Sequence, residues 1–184
     1  KRKRGGGTDS TTAEVTDKEM ELINAYSRRK LTKDEVYVFG VVLCDNDIDR
    51  DNERFTVESL FELEKLFVGK TGIFDHSPTA KNQTARIFAC SVESVDGRKT
   101  ATGDDYFRLT ARAYISKTKG NDEIIQAIDS GILKEVSIGC AAGEAKCSVC
   151  GESLNHCSHI KGDTYGGRKC YGELCGIYDA YEWS

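Results

Sequence analysis

Apolar residues in this chain come in short runs, many β-branched or aromatic, parted by acidic or glycine-bearing turns. The run EVYVFGVVLC, residues 35–44, is apolar on nearly every position and predicts a largely buried strand. Shorter strands are predicted over 71–75, 84–93, 106–115, 132–140 and 176–184. Helical spacing occurs three times. Thr16 and Glu19 form a T-x-x-E capping box ahead of Met20 and Ile23. Thr56 caps a stretch with Leu60, Leu63 and Phe67 on one face and Gly69 as its stop signal. Asn121 and Asp122 open a third helix carrying Ile124, Ile125 and Ile128, ended by Gly131. Residues 1–15 have no period and read as a flexible basic, glycine-rich arm. The pattern predicts a β-rich α+β domain over 16–184, a bent antiparallel sheet or β-barrel of about six strands flanked by short helices. Residues 141–175 hold too few apolar side chains for a core of their own and read as an insert.

A length of 184 residues suits one domain. No apolar run approaches the roughly 18 residues of a membrane span, so no membrane partner is expected. The tract Lys1–Arg4 is not followed by an apolar stretch and does not open a secretory signal. A net charge of −4 disfavours nucleic acid as a partner of the whole domain. Five of the eight cysteines fall between Cys147 and Cys175. Cys44, Cys90 and Cys140 lie in apolar stretches, as small buried hydrophobes do. The clustered five point to metal in a reducing compartment, hence cytoplasm, rather than to a disulfide framework.

Within that cluster, C-S-V-C-G-E-S-L-N-H-C-S-H places Cys147 and Cys150 on a tight knuckle, with Cys157 and His159 able to complete a tetrahedron. A sulfur-rich closed site predicts structural zinc and makes the insert a zinc knuckle. Cys170, Cys175 and His156 are alternative donors. The acidic turn DNDIDRDNE, residues 45–53, starts like a calcium loop, but Arg50 stands where glycine is required and Thr56 where the bidentate glutamate should be. It reads as a solvated turn.

Two residues invite a catalytic reading. His76 ends a strand in GIFDHSP, and Ser137 lies in ILKEVSIGC. In that second strand Val136, Ile138 and Cys140 share one face, and Glu135, Ser137 and Gly139 the other. By themselves these are a turn histidine and a strand serine. Taken with the later Y-E-W-S, the three motifs in this order resemble those of the prohead (capsid maturation) serine proteases of tailed bacteriophages, related in fold to the herpesvirus assemblins. The resemblance spans about residues 36–184. It implies Ser137 as nucleophile, His76 as general base, and cleavage of phage scaffold and major coat proteins inside an assembling procapsid in the host cytoplasm, with self-cleavage. Homo-oligomer formation is compatible with it. The family pattern runs on past this point, so a trimmed or processed chain is expected. Assemblins use a second histidine on the following strand, where this chain has Asp179 and Glu182. Strand alternation puts Glu182 on the face of Ser137, so Glu182 is the expected third member, ahead of Asp179 and Asp75. Two rival readings are a zinc-knuckle interaction module without catalysis and a cysteine hydrolase pairing Cys140 with His76.

Overall fold

A computed structural model describes residues 2–7 and 14–184. Its centre is a mixed sheet built from β1 (Arg2–Gly7), β2 (Val36–Asp45), β3 (Glu53–Phe55), β4 (Thr71–Gly72), β5 (Ala85–Lys99), β6 (Asp105–Ser116), β7 (Glu135–Cys147) and β10 (Gly172–Trp183). The strand order is β1-β7-β10-β4-β5-β6-β2, with β3 added beside β10. Most neighbours are antiparallel; β3 and β4 run parallel to β10. No ladder joins β1 to β2 among the described residues, so the sheet is open and the barrel alternative does not apply. A two-residue pair, β8 (Thr164–Tyr165) and β9 (Arg168–Lys169), forms a separate ribbon.

Three helices follow the sequence signals. In α1 (Asp17–Asn24) the Thr16 hydroxyl accepts from the Glu19 N–H while the Glu19 carboxylate accepts from the Thr16 N–H, satisfying two of the orphan donors at a helix start. In α2 (Val57–Phe67) Thr56 caps the Ser59 N–H, and Leu60, Leu63 and Phe67 are fully buried. In α3 (Asp122–Asp129) Ile124, Ile125 and Ile128 pack on the core from one side. The main core joins α2 to β2, β5, β6, β7 and β10, and a smaller cluster of Met20, Ile23, Val36, Val38 and Phe88 lies beneath α1. Packing on two sides explains why β2 is apolar almost throughout.

Three boundaries differ from the sequence reading. Arg2–Gly7, inside the supposed flexible arm, pairs with β7; three glycines carry no strand signal, and the pairing comes from the neighbouring edge rather than local propensity. The expected insert at 141–175 narrows to 148–171. The polar stretch from Ala141 to Cys147 continues β7, and Gly172 opens β10, so Cys147 pairs with Gly172. The expected strand at 71–75 is only Thr71–Gly72, because the chain turns sharply at Asp75 and His76.

Candidate active site and metal centre

β10 brings the proposed residues together. Its C-terminal end pairs with β7 on one side, Trp183 opposite Ile138 and Glu182 opposite Gly139, and with β4 on the other, Trp183 opposite Gly72. His76 stands just beyond β4. Asp75 and His76 have φ of 54° and 51°, two consecutive non-glycine residues in the left-handed region, where each costs on the order of 1 kcal/mol. Specific bonds hold this turn. The Asn82 amide donates to the Phe74 and Ser77 carbonyls at 2.6 and 2.8 Å, and the His76 N–H donates to the Ser184 hydroxyl at 3.4 Å.

The turn delivers the imidazole to Glu182. His76 Nδ1–H donates to Glu182 Oε1 at 2.7 Å, both side chains largely buried. That bond leaves Nε2 as the basic nitrogen. Glu182 Oε2 is buried without a hydrogen-bond partner among the described residues, so the imidazole is the carboxylate's main support. Gly139 makes the approach possible, since a Cβ there would lie 2.7 Å from Glu182 Oε1. Ser137, two residues earlier on β7, exchanges both backbone hydrogen bonds with Ser184, at 2.7 and 2.9 Å. His76, Ser137 and Ser184 line one cleft of about 700 Å³ with Asp45, Asp47, Asp49, Arg50, Asp51, Asp75 and Glu135. A smaller apolar cavity of about 260 Å³, walled by Ile73, Phe74, Leu133, Val136 and Trp183, opens beside it and shares Ser184.

No family model, curated protein or solved structure matches the chain. The functional reading therefore rests on side-chain geometry. Of the candidate acids, Glu182 meets His76, whereas Asp179 is half-exposed and 3.8 Å from Lys70 Nζ. Asp75 lines the cleft. Cys140 is buried in the core. Two features had no signal in single residues: Ser184, whose hydroxyl and backbone tie His76 to Ser137, and the acidic turn 45–53, which forms a wall of the cleft rather than only a solvated loop. The density of aspartates was the one available clue to the second.

The tip of the β7–β10 hairpin carries the second cluster. Donor atoms of Cys147, Cys150, Cys157 and His159 all lie within 4.8 Å of one another and could hold a metal ion. Gly151, at φ 79°, closes the knuckle through its N–H to the Cys147 carbonyl at 2.8 Å. Burial opposes ionisation of Cys147, but the Cys150 and Val149 N–H groups turned on its sulfur bring the thiol down to about 6. His159 Nδ1 is buried with no hydrogen-bond partner among the described residues, while the ring sits edge-on to Tyr165 at 4.5 Å. An imidazole with a buried orphan nitrogen, beside three thiols, fits a ligand. Cys170 Sγ lies 3.7 Å from Cys147 Sγ and is a neighbouring fifth donor; Cys175 Sγ donates instead to the Glu173 carbonyl. No helix among the described residues is long and apolar enough to cross a membrane.

Proposed function

We propose that this chain is a serine endopeptidase of the prohead-maturation kind, acting on scaffold and coat proteins during capsid assembly, with Ser137, His76 and Glu182 as its catalytic residues. The observation that carries the reading is the 2.7 Å bond to Glu182 made by His76, which lines the same cleft as Ser137. A serine hydroxyl becomes a competent nucleophile when a base removes its proton during attack. His76 Nε2 takes that proton as Ser137 Oγ bonds to the scissile carbonyl carbon, and returns it to the leaving amine as the C–N bond breaks. Glu182 holds the ring in the Nδ1–H tautomer and stabilises the imidazolium formed in between. Water then attacks the acyl-enzyme by the same proton path. The substrate and capsid context come from the motif resemblance, with the host cytoplasm as the place of action. The metal, on this reading, is zinc held by Cys147, Cys150, Cys157 and His159; four protein ligands leave no position for substrate, so its role is to fold the hairpin tip.

Purified chain treated with a fluorophosphonate should be labelled at Ser137, and Ser137→Ala and His76→Ala should each lose labelling. Both should also lose several orders of magnitude in cleavage of scaffold protein, with circular dichroism unchanged. Labelling elsewhere, or full cleavage by Ser137→Ala, rules the reading out.

A further inference from the structure

Arg2–Gly7 lies antiparallel to β7 with Lys3 opposite Ile138, Arg4 opposite Ser137 and Gly5 opposite Val136. β10 holds the other side of β7, so β1 covers an edge that would otherwise be open beside the proposed nucleophile. Ser137 gives its N–H and carbonyl to Ser184. Antiparallel alternation then turns the backbone groups of Val136 and Ile138 toward β1, opposite Gly5 and Lys3. Arg4 faces Ser137 as a non-hydrogen-bonded partner, the closer kind, with Cα atoms about 4.5 Å apart. An open strand edge captures extended peptides by such main-chain pairing.

The neighbouring wall fits the same occupant. Asp45, Asp47, Asp49, Asp51, Asp75 and Glu135 line the cleft, and Arg50 is the cation among the described lining residues. Asp45, Asp47 and Asp49 also accept backbone N–H groups of their own turn, which fixes the wall in place. The strand seated at the edge reads Arg-Lys-Arg-Gly-Gly-Gly, three cations and then three residues without side chains. Resting on the endopeptidase reading, we propose that Arg2–Gly7 is a built-in competitor on the peptide track of this cleft, and that the segments it competes with are extended and rich in Arg and Lys.

The test uses the full chain with Ser137→Ala, so that nothing is cleaved, with and without the pair Lys3→Pro and Gly5→Pro. Proline removes the two ladder donors of β1. The probe is a dye-labelled peptide Arg-Lys-Arg-Gly-Gly-Gly, followed by fluorescence anisotropy at low salt. The proline variant should bind it roughly tenfold or more tightly than its parent, because the competing strand is released. Binding should weaken with added salt and with Asp51→Asn plus Asp75→Asn, and a peptide with Glu for its Arg and Lys should not bind. A second variant, Arg2→Glu, Lys3→Glu, Arg4→Glu, leaves the backbone donors intact and should expose the track in the same way, which covers the case of prolines that unfold the sheet. Equal affinity for parent and both variants, or equal binding of the Glu peptide, overturns the proposal. Fluorophosphonate labelling of the unmutated chain reports the catalytic reading separately. Labelling without peptide binding removes the competitor and keeps the hydrolase, whereas binding without labelling supports the track and removes the hydrolase.

Discussion

Gly139 faces Glu182 across the β7–β10 ladder, and the carboxylate reaches His76 through the space a side chain would fill. Gly139→Ala should therefore displace Glu182 and lower turnover about as much as Glu182→Gln, by orders of magnitude, with little change in unfolding midpoint. Steady-state kinetics beside thermal melts measure this, and an alanine variant at wild-type rate would show that the bond to His76 is dispensable. Asn82 braces the turn that carries His76, through the carbonyls of Phe74 and Ser77 on either side of it. Its replacement by alanine should cost about 1–2 kcal/mol and lower turnover as the turn relaxes. Neither the room left by Gly139 nor the role of Asn82 was visible at the residue scale of the sequence. Strand alternation favours Glu182 over Asp179, but strict alternation along β10 would also bury Tyr181 and expose Ala180. Two irregularities in β10, at 177–179 and 180–182, reverse that local count: Ala180 is buried and Tyr181 is exposed.

At the scale of elements, the hairpin tip and α1 are each held by a small set of contacts. Residues 148–171 have little core of their own, so a bound metal should supply on the order of 10 kcal/mol to their folding. One zinc per chain is expected by elemental analysis under reducing conditions, and His159→Ala should lose it. Chelation should raise amide exchange across 148–171 while α2 and β6 stay protected. A metal-free chain with the same protection would mean the thiols need no ion. For α1, Glu19 Oε1 accepts from Arg112 Nε and Nη2 at 2.9 and 2.8 Å. Burial pushes the Glu19 carboxyl up, but the Thr16 N–H and the Arg112 guanidinium outweigh it and hold it below the ordinary 4.5. Stability from this pair is present above that value and is lost as pH falls through the lower folded one. Amide exchange in α1 should therefore rise on acidification below about 4.5, and Glu19→Gln should flatten that dependence.

For the molecule as a whole, β10 is the organising strand, because it alone among the described strands pairs with β3, β4 and β7. Trp183 anchors it. The indole is buried, sits 6.2 Å from the Phe39 ring, donates to the Lys70 carbonyl at 3.4 Å and fills the space over Gly72. Trp183→Ala should cost about 3–5 kcal/mol and separate β4, with the His76 turn, from β7. A calorimetric melt should show the loss, and cleavage should fall with it even where the chain remains folded.

The sequence alone determined what local chemistry determines. Thr16 and Thr56 mark helix starts because a side-chain oxygen must meet an orphan N–H, and both caps are in place in the fold. The apolar run of β2 required burial on two sides, and the Cys-x-x-Cys knuckle needed only a few residues to bring its thiols together. Long-range pairing was decided elsewhere. His76 reaches Glu182 and shares a cleft with Ser137 because β10 lies between β4 and β7, and no residue near any of them encodes that order. The glycines of Arg2–Gly7 carry no strand propensity, and the edge of β7 gives them their conformation. Pairing across a sheet depends on which edges remain open once the core has packed, and that is a property of the folded molecule rather than of any segment.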